Sequence, residues 1–102
     1  MSKLRIQVPA ERIGAICRKW KIIELSLFGS VLRDDFGPES DVDVLVAFED
    51  DADWNVFDIL ALTEELKDAF DRNVDLVEKD AIRNPFRRHN ILNHHEVVYA
   101  AG

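Results

Sequence analysis

The spacing of apolar positions changes several times along the chain, and each change marks an element. From Pro9 the spacing is helical: Ile13, Ile16, Cys17 and Trp20 stand at i, i+3, i+4 and i+7, one face of a helix whose first turn tolerates proline. Residues 1–8 before it read as an extended lead-in. Residues 22–28 alternate as a strand does, with Ile23, Leu25 and Leu27 on one face and Glu24, Ser26 and Phe28 on the other. A turn or short helix around residues 30–35 is closed by Gly37-Pro38. Residues 42–48 are apolar apart from Asp43, the pattern of a strand buried on both faces. After the acidic loop 49–53, Asp53 is placed to cap a long helix over residues 54–70. Its apolar stripe is Val56, Ile59, Leu62, Leu66, Ala69 and Phe70, and Asp58, Glu64, Glu65, Lys67 and Asp68 mark its wet side. A short strand follows at 74–77. Asp80 can then cap a helix carrying Ile82, Phe86, Ile91 and Leu92, with Pro85 marking an early break or kink. Residues 97–99 make a last short strand or an extended tail. Trp20, Trp54 and Phe86 are expected in the core, and Phe57 in the core or at an interface.

Helix, strand, turn, strand, helix, strand, helix, tail is the order of an α+β fold, sandwich-like, with a small mixed sheet of three or four strands packed by helices. The step from residue 42 to residue 77 predicts a right-handed crossover between parallel strands. The 22-to-48 connection is short enough to leave the first strand free to run either way. The length, 102 residues, suits one small domain spanning 1–102. A 47% apolar and 32% charged composition is that of an ordinary soluble protein. No apolar run reaches the ~20 residues of a membrane span, and the N-terminus has no signal-peptide h-region. The one cysteine, Cys17, has no internal disulfide partner and lies on an apolar stripe, where it reads as a small buried hydrophobe. A cytoplasmic location follows as the expectation. The formal net charge of −7 disfavours direct nucleic-acid binding. It leaves room for a nucleoside triphosphate carried with metal ions, or for a basic protein partner.

The candidate chemistry lies in three aspartates. Asp41, Asp43 and Asp75 start or interrupt apolar strands, where aspartate is among the most depleted residues. Asp41 and Asp43 are two apart, so a strand presents them on one face. Neighbouring carboxylates in an apolar setting are costly, and divalent Mg²⁺ or Mn²⁺ relieves that cost through hard oxygen ligands. Three such carboxylates can hold two metals for an in-line phosphoryl displacement. Read blandly, Asp41 caps a turn, and Asp43 and Asp75 guard edge strands against aggregation. Beside them, Gly29-Ser30 follows a strand directly. Glycine lets a ligand approach the backbone closely, and serine offers a hydroxyl and an N–H to a phosphate. Arg33 would face the same side of that turn. The pair is not a Walker A loop, because the Gly-Lys-Ser/Thr ending is missing.

Gly29-Ser30-x-x-Arg33-x-Asp35, Ser40-Asp41-x-Asp43 and a separate strand Asp75 together resemble the nucleotidyltransferase superfamily that includes DNA polymerase β. The likeness is greatest to its minimal prokaryotic members. It covers most of the chain, including the ending Ile91-Leu92 and Glu96-Val97-Val98-Tyr99-Ala100. The resemblance implies two Mg²⁺ or Mn²⁺ ions held by Asp41, Asp43 and Asp75, with Asp75 also helping to deprotonate the attacking hydroxyl. It implies Gly29 and Ser30 on the β- and γ-phosphates, with Arg33 and Ser40 completing the nucleotide site. The implied reaction moves AMP from ATP to a hydroxyl and releases pyrophosphate. Asp34 departs from the family pattern, since relatives often carry glycine there. Many relatives append an acceptor-recognising domain, so here the acceptor site is expected from a partner.

Minimal proteins of this kind resemble the antitoxin half of a toxin–antitoxin pair whose toxin is a helical HEPN ribonuclease. The resemblance implies that a toxin tyrosine receives AMP, or that the toxin is neutralised by binding alone. A small-molecule transferase of the aminoglycoside type is the remaining alternative. Elsewhere, adjacent His94 and His95 cannot share a metal as residues i and i+4 on a helix would, and read as surface or partner-contact residues. Arg83, Arg87, Arg88 and His89 form the chain's basic cluster, either a solvated helix face or a contact to nucleotide or partner. No Ser/His/Asp or Cys/His hydrolase arrangement is apparent.

Overall fold

The computed structural model describes residues 6, 8–32, 36, 37 and 39–101. Helix α1 (Ala10–Lys19) leads into β1 (Ile22–Phe28) and a 3-10 turn (Gly29–Leu32). Strand β2 (Val42–Phe48), helix α2 (Val56–Phe70) and strand β3 (Val74–Glu78) follow. A second 3-10 turn (Lys79–Ala81), helix α3 (Pro85–Asn93) and strand β4 (His95–Ala100) complete the order. The sheet has four strands in the order β3-β2-β1-β4. β1 runs antiparallel to both β2 and β4, and β2 pairs parallel with β3. The mixed sheet expected from the pattern is thus present, and the segment at 97–99 belongs to a paired edge strand.

Helices α1 and α2 cover one face of the sheet. Ile13, Ile16 and Cys17 from α1 and Trp20 at its C-cap pack with Leu25, Leu27, Val42, Val44 and Val46 from the strands and Leu62, Leu66 and Phe70 from α2. The Trp20 indole N–H donates to Glu65 Oε2 at 3.0 Å, and the Trp54 indole N–H donates to the Trp20 backbone oxygen at 2.9 Å. The two rings meet edge to face at 5.1 Å. On the opposite face, α3 and the turn before it close a smaller cluster of Phe28, Leu45, Ile82 and Ile91. No helix among the described residues is long and apolar enough to cross a membrane.

Cys17 is fully buried in the first cluster, as its place on the stripe predicts. Burial pushes its thiol up to about 12, only partly offset by the Arg18 charge. The thiolate is the nucleophile, so Cys17 is expected to resist a thiol reagent such as iodoacetamide at pH 8 in the native protein and to react once denatured. The raised value also stabilises the fold fully below pH 9.0, and that contribution fades as pH climbs toward 12.

The structure corrects several local expectations. Ile23 is 42% exposed and not on the core face, because the register slips between Ile22 and Glu24 and turns Ile22 inward instead. The cap of α2 is Asn55, not Asp53. Asn55 Oδ1 accepts from the Asp58 N–H and the Asp58 carboxylate accepts from the Asn55 N–H, so the reciprocal box starts the helix at Val56. Asn84, not Asp80, caps α3, and Pro85 is its first residue instead of a kink. That start turns Phe86 out to solvent, and Phe57 is likewise exposed, so neither is core.

Candidate functional site

The sequence-predicted site residues fall at the end of the sheet where β1 finishes and β2, β3 and β4 begin. In the parallel β2–β3 pair Asp43 stands opposite Asp75, and in the antiparallel β1–β2 pair Asp43 stands opposite Phe28. Directly opposed residues share a face, with strands ~4.8 Å apart, so the two carboxylates are side by side on the face that α3 partly covers. Asp43 is half-buried on a central strand and Asp75 is exposed on an edge strand. Guarding an edge therefore cannot account for Asp43, although it could account for Asp75.

Gly29 lies against this pair. Its φ of +75° is left-handed, where side chains are disfavoured. A Cβ there would overlap the Asp43 carboxylate oxygen, whose carbon lies 3.2 Å from the same point. The missing side chain is thus the space into which the Asp43 carboxylate leans. Ser30 follows in the 3-10 turn, half-buried. Arg33, Asp34 and Asp35 lie outside the described residues.

Asp41 precedes β2 and is exposed. An open cleft of about 570 Å³ has Glu39, Ser40, Asp41, Asp71, Arg72 and Asn73 around it. Among the described residues no three acidic, histidine or cysteine side chains already converge as a metal cage. Asp43 and Asp75 are brought together by the sheet, and Asp41 stands at the strand's threshold. Like charges held at such spacing repel, which disfavours closure of the trio without a cation between them. The donor set, hard carboxylate oxygens on two adjacent strands, fits Mg²⁺ or Mn²⁺.

Two features of the site escape sequence reasoning. Arg72 donates from Nη1 to the Gly37 oxygen at 2.7 Å and the Ser40 oxygen at 3.1 Å, and its guanidinium stacks over Phe36 at 4.4 Å. The Gly37 N–H donates to Ser40 Oγ at 2.9 Å, and the Ser40 N–H donates to the Gly37 oxygen at 3.1 Å. Ser40 thus closes the turn before Asp41, accepting at Oγ and keeping its own hydroxyl proton free to donate. Val42 N–H donates to the Asn73 oxygen at 2.9 Å, tying the start of β2 to the turn that carries Arg72. The sequence shows an arginine in a turn, and its partners lie 32 and 35 residues away. The second feature is His95. It stands opposite Phe28 on β4, in the same row as Asp43 and Asp75, half-buried, with Nδ1 buried and without a hydrogen-bond partner. Of the two adjacent histidines only His94 is a surface residue, its ring beside the Asn90 oxygen at 3.0 Å.

The sequence model of the nucleotidyltransferase domain matches residues 11–98. The chain belongs to that family. It is a nucleotidyltransferase, and the matched span runs from α1 into β4. Two Methanocaldococcus jannaschii proteins named as protein adenylyltransferases are 37% and 34% identical over 73 residues; the aligned stretch is 72% of this chain in each case, and 72% and 73% of the relatives. A solved minimal nucleotidyltransferase is 28% identical with a TM-score of 0.68, covering 84% of this chain and 85% of its own. A chain of a toxin–antitoxin complex solved with AMP-PNP superposes with a TM-score of 0.73 at 21% identity, over 92% of this chain and 75% of that one, and shares the fold.

In this nucleotidyltransferase the Arg72 clamp holds the loop on which Asp41 sits. Arg72→Ala is expected to lower nucleotide transfer about 10–100-fold, since misplacement by about 1 Å can cost two orders of magnitude. Arg72→Lys should recover only part of the rate, because an ammonium lacks the planar, stacking fork of the guanidinium. Steady-state transfer rates, with circular dichroism confirming the fold, check both.

Proposed function

We propose that this nucleotidyltransferase is a divalent-metal-dependent protein adenylyltransferase that moves AMP from ATP to a tyrosine hydroxyl of a HEPN-type toxin and thereby serves as its antitoxin. The observation that carries the chemistry is the in-register pairing of Asp43 with Asp75 beside the left-handed Gly29. The choice of a protein acceptor is supported by the relatives named as protein adenylyltransferases. The choice of a toxin partner is supported by the fold shared with a solved complex, described as a tri-AMPylated Shewanella oneidensis HEPN toxin with an MNT antitoxin.

Asp41, Asp43 and Asp75 would hold two Mg²⁺ or Mn²⁺ ions. Bound there, the ions supply Lewis-acid neutralisation of the triphosphate charge. Gly29 exposes its backbone, and Ser30 offers a hydroxyl and an N–H, to the β- and γ-phosphates. Arg33 and Ser40 complete the nucleotide contacts. Asp75, the exposed member of the pair, takes the proton of the incoming hydroxyl. The hydroxyl oxygen bonds to the α-phosphorus, the bond from that phosphorus to the bridging oxygen breaks, and pyrophosphate leaves. A phenol is the readiest protein hydroxyl for this step, having a pKa near ~10.

The test is incubation of the chain with α-labelled ATP, Mg²⁺ and the product of the neighbouring gene. Label is expected on the toxin, lost on chelation with EDTA and lost when the target tyrosine is replaced by Phe. Neutralisation of the toxin without any label transfer, unchanged by Asp41→Asn/Asp43→Asn, would identify a stoichiometric binder instead.

A further inference from the structure

Strand β3 is an edge strand, with β2 as its one strand neighbour among the described residues. Because the Asn73 oxygen points to β2, residues alternate outward from there, and the N–H and C=O groups of Val74 and Leu76 and the N–H of Glu78 face away from the sheet. No backbone group beyond β2 pairs with them among the described residues. Along this edge runs a groove of about 410 Å³. Ile59 of α2 forms one wall, Ala81, Ile82 and Arg87 form the other, and Asp75 and Val77 lie in the floor. At 100° per residue, Val56, Ile59 and Leu60 share one shoulder of α2. Glu65 and Asp68, which bond to α1, lie on the other side of the helix. On that shoulder Val56 is 71% and Leu60 57% exposed, large apolar side chains that the fold leaves uncovered. Arg87 is exposed and has no carboxylate partner among the described residues.

We infer that this edge is the docking groove for an extended segment of the protein acceptor, which adds to β3 as a further strand and delivers its hydroxyl residue to Asp75. The inference rests on the adenylyltransferase reading and names the surface it uses. Three observations select the occupant. The groove contains Asp75, so a strand laid along β3 places alternate side chains on the face of that carboxylate. The outward amides offer main-chain bonds to any sequence, while the shoulder of α2 and Ile82 select an apolar residue. Arg87 on the opposite wall selects an acidic residue in the segment, since an otherwise unpaired guanidinium gains a charge-assisted bond. The acceptor is therefore an extended stretch combining a hydroxyl, an apolar and an acidic side chain.

Hydrogen exchange of the full chain, alone and with the HEPN-type protein, tests this. The amides of Val74, Leu76 and Glu78 are expected to exchange at least about tenfold more slowly in the complex. The exposed variants Leu60→Glu and Arg87→Glu are each expected to raise the KM for the protein acceptor about tenfold or more while leaving AMP-PNP binding unchanged. Label transfer that proceeds while those amides exchange at the free rate overturns the groove and leaves the catalytic reading intact. Protected amides with no label transfer support the groove and remove the catalytic reading. Amides already protected in the free chain and released on dilution would assign the edge to a second copy and overturn the inference.

Discussion

Replacing Asp43 by Asn is expected to lower AMP transfer by on the order of 10³-fold or more, the scale set by losing charge stabilisation at a phosphoryl centre. The expectation comes from position. Asp43 is the carboxylate that the sheet places between the Gly29 turn and Asp75. It is half-buried on a central strand, where aspartate is among the most depleted residues. Asparagine keeps the shape and removes the charge with which Asp43 would hold a divalent cation. Asp75→Asn is expected to reduce transfer comparably, with a different signature in stability. Like charges directly opposed on neighbouring strands destabilise by roughly 0.2–1 kcal/mol, so neutralising the exposed Asp75 should leave the metal-free protein as stable as before or slightly more so. Thermal melts with and without Mg²⁺ check this. The native protein should gain stability on adding Mg²⁺, and both variants should lose most of that gain.

Gly29→Ala should be nearly as damaging to activity and more damaging to the fold. Holding alanine at φ +75° costs about 1–2 kcal/mol by itself. The new methyl also meets the Asp43 carboxylate, which must leave its native position to make room. In a protein of this size each kcal/mol lowers Tm by roughly 4–8 °C, so a loss of several degrees is expected. Transfer should fall about 10²-fold, because the displaced carboxylate is a proposed metal ligand that would have to be held in register. Gly37→Ala is the control. Gly37 has open space around its would-be Cβ and no left-handed φ, so alanine there should leave both Tm and transfer near native values. If Gly29→Ala behaved like Gly37→Ala, the close approach of Gly29 to Asp43 would have no functional weight.

Much of this protein is legible along the chain because its elements announce themselves locally. The stripe Ile13, Ile16, Cys17, Trp20 predicts a helix, and all four are buried, the first three on one face of α1 and Trp20 at its C-cap. The run from Val42 to Phe48 predicts a strand, and β2 has those bounds. Aspartate in such a run is a local contradiction, which is why Asp43 stands out among its own neighbours in the chain. Boundaries are less legible where two capping residues compete. Asp53 and Asn55 both suit an N-cap, and what decides is the reciprocal bond from Asp58, three residues after Asn55. The inward turn of Ile22 and outward turn of Ile23 depend on a slip in the β1–β2 register, which no periodicity within β1 contains.

The order of residues was enough to define the chemistry available: three aspartates starting or interrupting apolar runs, a Gly-Ser turn after a strand, and one arginine-rich helix start. Which of these meet was settled by the fold. Asp43 and Asp75 are 32 positions apart in the numbering, and a parallel register makes them neighbours. Arg72 becomes the clamp of the Asp41 loop because α2 returns it beside Gly37 and Ser40. Gly29 has no room for a side chain because the Asp43 carboxylate fills the space one would take. Local propensity acts over a few residues, whereas strand register and loop closure are settled by burial of the whole sheet, so the site's members can be read along the chain and its geometry only after folding.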